Sequence, residues 1–136
     1  MSDTRIKYQN YRLEIEDVVN ALSDISYQKK YWKYYKFEPK EPICGFKYSY
    51  NILFDDLPGL AEDPHSTIGD YLIDEREADA MAALIAPLDR LLNRYGVLMT
   101  PQQAWADPLW ETVVEKAKIL RAIFKESAFV PPTAGS

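Results

Sequence analysis

The stretch FKYSYNILFD, residues 46–55, decides the fold class that the sequence predicts. Its apolar side chains occupy every second position, and mostly polar residues fill the positions between them. A period of two places alternate side chains on opposite faces of an extended chain. The stretch therefore predicts a β-strand with one buried face, formed by Phe46, Tyr48, Tyr50, Ile52 and Phe54.

A second strand is predicted at TIGDYLI, residues 67–73, which follows a loop rich in Pro, Gly, Asp and Ser. Gly69 permits a bulge or a close approach of another part of the chain at that point. Because two short strands alone are only marginally stable, we expect a third element near residues 34–37 or a covering helix.

The clearest helix of the sequence follows the second strand. Asp74 and Glu77 have the spacing of an N-terminal capping box, and apolar residues then recur at helical spacing until Gly96. Pro87 lies inside this pattern, where it removes a backbone hydrogen bond. It is expected either to kink the helix or to begin a new one.

Two further segments, residues 11–25 and 110–124, also carry apolar residues at helical spacing. Thr100 and Asp107 each precede a proline and are placed to cap a helix. The order helix, strands, helix, helix predicts an α+β fold, in which a small antiparallel sheet is covered by about three to four helices.

The chain length of 136 residues is typical of one domain. We expect a single domain over residues 1–136, with loose tails at residues 1–8 and 128–136. No apolar run approaches the roughly 20 residues that span a bilayer, and the N-terminus lacks the apolar core of a secretory signal. A soluble cytoplasmic protein without a membrane partner is expected. The single cysteine, Cys44, cannot form an internal disulfide or a cysteine-based zinc site.

Charge is distributed unevenly along the chain, whose formal net charge is −5. Residues 51–80 contain nine acids against a single base, Arg76, whereas residues 27–50 contain two acids and six lysines. Phosphate contacts need clustered Lys or Arg, so an acidic chain with one strongly acidic sector is a poor binder of nucleic acid. A basic protein partner is expected instead.

The acidic sector also contains the only histidine, His65. Neither the alternating oxygen ligands of a calcium loop nor the ligand set of a zinc site is present there, so we expect no metal and no cofactor. No nucleophile motif or phosphate-binding glycine loop occurs, so no catalytic residue is assigned and the chain is not expected to be an enzyme. The residues predicted to bind a partner are Asp55, Asp56, Glu62, Asp63, His65, Asp70, Asp74 and Glu75.

Aromatic residues and lysines interleave in YQKKYWKYYKFEPK, residues 27–40. Such a composition can stack bases and hold phosphates in proteins that bind single strands. Helical spacing favours the alternative that Tyr27, Tyr31 and Tyr34 form a stripe packed into the core, against the last two helices, while the lysines remain in solvent.

The order of several short motifs resembles a family of small acidic bacterial proteins that is abundant in actinomycetes. These motifs are ALSDISYQKKYW, NILFDD, EDPHSTIGDYLIDEREADAMAAL and ADPLWETVV, within residues 15–120. The resemblance implies no activity and no catalytic residues, because that family has none established. In size and acidity it is similar to the immunity proteins of bacterial toxin systems, which is an analogy of class.

Three functions are compatible with these observations. The first is a protein-binding module, most concretely an immunity protein whose acidic side chains neutralise a basic, nuclease-like toxin. The second is a small hydrolase-like enzyme that uses His65 with nearby carboxylates. The third is a structural or regulatory protein that acts as a homo-oligomer, for example a homodimer, through exposed aromatic residues. The sequence favours the first.

Overall fold

All the repeating secondary structure is helical in the described part of the chain. The computed structural model describes residues 3–32, 46–96 and 98–131. The α-helices are α1 Gln9–Leu22, α2 Ile25–Tyr31, α3 Phe46–Asn51, α4 Glu75–Tyr95, α5 Pro101–Ala106 and α6 Leu109–Ser127. A π-helix, Ile52–Asp56, continues α3, and a short 3-10 helix spans Pro64–Thr67. The predicted α+β fold with an antiparallel sheet is therefore wrong, since no strand occurs in these ranges.

The core lies among the three long helices α1, α4 and α6, which make the most extensive helix contacts. Each turns an apolar stripe inward, because residues three and four apart share one face of a helix. The fully buried members of these stripes include Ile15, Val18, Met81, Leu84, Leu91, Val113, Ala117 and Leu120. Helices α1, α4 and α6 overlap the three segments that the sequence predicted as helical, so those predictions are confirmed.

The predicted strand at residues 46–55 is helical instead. Its buried residues include Phe46, Tyr50 and Leu53, and Leu57 continues the same series. These positions are spaced by four, three and four residues, which is the period of a helix face. Aromatic and β-branched residues favour strands only when a pleated, half-buried surface is available to them, and here the neighbouring helices offer a groove instead.

The predicted second strand, residues 67–73, is a tight turn. The Thr67 carbonyl accepts hydrogen bonds from the amides of Asp70, Tyr71 and Leu72, so the chain curls back on itself. The only β-type pairing in the described residues is one isolated bridge between Ile68 and Leu72. Gly69 has φ of +92°, a conformation that residues with a Cβ rarely adopt, and it permits this turn.

The predicted start and end of α4 are confirmed, but the capping box is only half formed, because the Glu77 side chain accepts from the Ile73 amide instead of the Asp74 amide. Asp74 precedes the helix and its side chain accepts a hydrogen bond from the Glu77 amide, and the helix ends before Gly96. The helix continues through Pro87, which is buried on its inner face. No restart therefore occurs at the proline, although its missing N–H leaves one carbonyl of the preceding turn without its helical donor.

The two ends of the described chain contact each other. The Arg5 guanidinium donates to the Ser127 carbonyl at 3.0 Å, and the Val130 amide donates to the Asp3 carboxylate at 3.2 Å. The Arg5 side chain also hydrogen-bonds Asp3, which holds the pKa of that carboxyl well below its usual range. Segments that the sequence predicted as loose tails thus carry specific contacts at residues 3–8 and 128–130.

Three sequence predictions concern residues outside the described ranges: the third sheet element near residues 34–37, the place of Tyr34 in the tyrosine stripe, and Cys44. Within the described ranges, none of the helices is both long and apolar enough to cross a membrane.

Candidate functional site

The predicted partner-binding residues lie on a segment of turns that is anchored by buried side chains. We call residues 55–75 the acidic segment. It is fixed to the core by Leu57, Leu60, Pro64, Thr67, Tyr71 and Leu72. Two of its turns lie close together. The Ser66 hydroxyl oxygen is 3.2 Å from the position that a Cβ on Gly59 would occupy. The carboxylates between these anchors are therefore displayed on a defined backbone.

The acidic side chains of this segment face solvent. Asp55, Asp56, Glu62, Asp63, Asp74 and Glu75 are exposed and Asp70 is half-buried. Within residues 3–32, 46–96 and 98–131, no Lys, Arg or His forms an ion pair with any of these seven carboxylates. Asp74 has an internal role, since its side chain caps α4. The other six offer negative charge that the described fold does not neutralise.

His65, the remaining predicted site residue, pairs with a carboxylate that the sequence analysis did not select. Its Nε2 lies 2.7 Å from Oδ1 of Asp79, and both side chains are largely exposed, at 46% and 72%. The neighbouring Ser66 donates its hydroxyl to the Asp63 carbonyl at 2.7 Å rather than to the imidazole. A histidine that activates a serine needs that hydroxyl within hydrogen-bond reach, so these residues do not form a nucleophile and base pair.

Metal ligands are not grouped in the described part of the chain, where no three His, Cys, Asp or Glu side chains are arranged to hold an ion. Open depressions of about 650 Å³ and 610 Å³ are lined by residues outside the acidic segment. The acidic segment itself is marked by exposed charge.

One acid of the sector, Glu77, is fully buried and belongs to a charged network that we call the arginine hub. Arg12, also fully buried, binds both oxygens of Glu77, at 2.6 and 2.7 Å, and the outer oxygen of Glu16 at 2.8 Å. Burial opposes the charge of Arg12, but Glu77 and Glu16 outweigh it and raise the Arg12 pKa. The guanidinium also lies 4.1 Å from the ring centroid of Phe124. The hub therefore joins α1, α4 and α6.

The arginine hub was not predicted, although the sequence contains a signal for it. Arg12 precedes the buried residues Ile15 and Val19 by three and seven positions, so it lies on the inward face of α1. A charged residue on an apolar stripe needs a buried partner. Its partner is 65 residues away along the chain.

A second buried network, the glutamine hub, is neutral. The Gln28 amide donates to the carbonyls of Ala21 and Leu22 at the end of α1, at 2.9 and 3.0 Å. Its oxygen accepts the indole N–H groups of Trp105 and Trp110, at 3.1 and 2.9 Å. All the hydrogen-bonding capacity of this buried amide is used.

The buried face of α2 differs from the face that the sequence predicted. Gln28 and Trp32, one turn apart, are fully buried, whereas Tyr31 is 42% exposed and stacks at 4.7 Å on the half-buried Tyr27. Tyr34 lies outside the described residues. The prediction that the tyrosines form the inward face is wrong for Tyr31, because the inward face is taken by the residues that contact the last two helices.

Asp107 closes the same end of the molecule. It is buried, and it accepts from the Leu109 amide at 2.9 Å, from the Tyr95 hydroxyl at 2.8 Å and from the Arg94 guanidinium. These bonds, the one from Leu109 first, lower its pKa. Asp107 and Trp110 belong to the motif ADPLW, and Gln28 and Trp32 belong to SYQKKYW. Motifs far apart in sequence thus meet in one buried cluster, and their residues serve the fold.

Three tyrosines form a second exposed feature at the edge of the acidic segment. Tyr8 and Tyr11 are 40% and 45% exposed and lie over the buried Tyr71. The ring centroids are separated by 5.7 to 6.0 Å. We call these residues the tyrosine patch. The sequence did not predict this patch, because Tyr11 falls within the apolar series of the predicted helix at residues 11–25.

Comparison with known proteins is consistent with an uncharacterised family, but it does not confirm the motifs on which the resemblance rests. No curated protein and no solved structure matches the chain. A family described as a domain of unknown function matches residues 6–127, which include all the elements described above. Likeness to immunity proteins is not supported by this match. The chain belongs to this family, DUF7945.

Proposed function

We propose that the chain is a protein-binding module whose acidic segment docks a basic protein partner. The observation that carries the proposal is the set of exposed carboxylates at Asp55, Asp56, Glu62 and Asp63, which have no cationic partner in the described ranges. Buried neighbours hold their backbone in place, so little conformational entropy is lost when a partner binds. A complementary basic surface would be steered to them by long-range attraction.

The chemistry of the segment argues against the alternatives. Carboxylates repel the phosphates of nucleic acid, and beside the exposed His65–Asp79 pair the Ser66 hydroxyl donates to a backbone carbonyl instead of to the imidazole. Neutralisation of a toxin is one form that binding to a basic protein can take. The helical fold and the family description give no support to that form in particular, so the proposal is made for a basic protein partner in general.

The test compares two triple variants of equal charge. One carries Asp55→Asn, Asp56→Asn and Asp63→Asn in the acidic segment, and the control carries Asp89→Asn, Glu111→Gln and Glu115→Gln at exposed positions elsewhere. Calorimetry would measure their binding to a defined basic probe, a peptide of alternating glycine and arginine. We expect the first variant to bind about tenfold more weakly at low salt, since charge complementarity acts mainly on association.

The difference between the variants should shrink as salt is raised, because screening weakens attraction between exposed charges. Equal binding by both folded variants at low salt would exclude the acidic segment as the docking surface. A loss shared by both variants would indicate a general effect of net charge and would equally count against a specific site.

A further inference from the structure

The tyrosine patch exposes two aromatic side chains to solvent. Tyr71 contributes to the core at 6% exposure, but the outer rings of Tyr8 and Tyr11 remain open to solvent. An open depression of about 610 Å³ adjoins them, lined by Lys7, Tyr8, Gln9, Asn10 and Tyr11. Exposed tyrosines beside a depression are typical of the residues that anchor protein interfaces.

The patch is held in place by hydrogen bonds to the backbone. The amides of Lys7 and Tyr8 donate to the carbonyls of Gly69 and Asp70, at 2.8 and 3.0 Å. The Tyr71 carbonyl accepts from the buried guanidinium of Arg12 at 3.0 Å. The rings therefore stand on a fixed platform, which lowers the entropic cost of binding.

The electrostatic surroundings of the patch favour a cation. Asp70 precedes Tyr71 in the chain, and Glu14 follows Tyr11 by three positions on the same side of α1. The faces of phenol rings carry negative charge density that attracts cations. This attraction is already visible within the molecule, since the Lys7 ammonium lies 5.2 Å from the Tyr8 ring centroid.

We infer that the tyrosine patch is the anchor of the docking surface and receives an arginine side chain of the basic partner. The inference rests on the proposed function, because the patch meets the acidic segment at Asp70. Arginine fits better than lysine, since its planar guanidinium stacks on an aromatic ring while it donates hydrogen bonds to a carboxylate. Tyr8 and Tyr11 would contact the guanidinium, and Asp70 would bind its edge.

The experiment titrates the full chain with a peptide of alternating glycine and arginine, and with analogues in which lysine or citrulline replaces arginine. The variant Tyr8→Ala/Tyr11→Ala removes the outer rings. Tyr31→Ala is the control, because Tyr31 is equally exposed, stacks on another tyrosine and has a lysine ammonium 5.3 Å from its ring. Circular dichroism would confirm that each variant is folded.

We expect the double variant to bind the arginine peptide about tenfold more weakly than the unmodified chain, and Tyr31→Ala to bind within about twofold of it. The lysine peptide should bind more weakly than the arginine peptide, and the citrulline peptide should not bind measurably. Equal binding of arginine and citrulline peptides, or no binding of either, would overturn the inference.

The acidic triple variant separates this inference from the proposed function. If neutralising Asp55, Asp56 and Asp63 weakens binding of the arginine peptide while loss of the tyrosine rings does not, the anchor is refuted and the acidic docking surface stands. If only the loss of the rings weakens binding, the anchor stands and Asp55, Asp56 and Asp63 are not part of the docking surface. If neither change weakens binding, both are refuted.

Discussion

The buried hubs and the acidic segment are both polar, but their side chains differ in whether the fold supplies partners. Arg12, Glu77 and Gln28 are fully buried and each makes several hydrogen bonds. The exposed carboxylates at Asp55 and Asp56 have no ion-pair partner in the described ranges. Buried polar groups must be satisfied internally, whereas exposed groups are satisfied by water at no cost. Substitutions in the hubs are therefore expected to change the stability of the fold, whereas substitutions in the acidic segment are expected to change binding.

The first prediction has the largest expected effect and concerns substitutions in the arginine hub. Glu77→Gln should lower the free energy of unfolding by about 3–5 kcal/mol, because it leaves the Arg12 charge buried without its main counter-ion. Arg12→Met should cost a similar amount for the reciprocal reason. The double variant Arg12→Met/Glu77→Gln removes both charges and keeps an oxygen that can accept from the Ile73 amide, which Glu77 now binds at 2.7 Å.

Urea unfolding of the two single variants and the double variant would measure this coupling. We expect the double variant to lose clearly less than the sum of the single losses, with a coupling of at least about 1 kcal/mol. Strictly additive losses would show that the two side chains do not stabilise the fold as a pair.

The second prediction concerns a substitution in the glutamine hub. Gln28→Leu keeps the side-chain volume nearly constant but removes the acceptor of the Trp105 and Trp110 indole N–H groups and the side-chain donor to two carbonyls at the end of α1. We expect a loss of about 2–4 kcal/mol, since each unsatisfied buried group costs free energy. The control is Gln102→Leu, at an exposed position of α5.

Chemical denaturation, followed by the fluorescence of the tryptophans, would compare the two leucine variants. The signal should also change in the folded state of Gln28→Leu, because Trp105 and Trp110 lose their hydrogen-bond acceptor. A loss below about 0.5 kcal/mol would contradict a structural role for this amide.

The sequence predicted those features that depend on local spacing. Helices α1, α4 and α6 follow from apolar periodicity, and the cap of α4 follows from the positions of Asp74 and Glu77. The strand prediction failed because residues 46–55 carry both a period of two and a helical series that is completed only at Leu57. Alternation of large apolar residues does not by itself distinguish the two when packing decides which faces are buried.

The hubs could not be predicted because their partners are distant in sequence. Gln28 is 82 residues from Trp110, and Arg12 is 65 residues from Glu77. The sequence placed the candidate site on an acidic loop; the structure exposes seven of its eight residues and half-buries Asp70, and their role in binding stays a prediction. Composition did not reveal the tyrosine patch. The patch forms only through tertiary contacts, in which Tyr71 lies beneath residues of α1 and of the segment that precedes α1.

The last prediction has the smallest expected effect and compares two carboxylates within the acidic segment. Asp74 and Asp63 both precede a helix, but only Asp74 accepts a hydrogen bond from its helix, at 3.0 Å from the Glu77 amide, and Asp63 makes no side-chain cap bond. Asp74→Ala should therefore lower the free energy of unfolding by about 1 kcal/mol, the usual cost of a lost cap. Asp63→Ala should change it by less than about 0.5 kcal/mol, as expected for an exposed side chain without such a contact. Thermal and urea unfolding of the two variants would provide the comparison. Equal losses would show that Asp63 also serves the fold, and the set of carboxylates free to bind a partner would then be smaller by one.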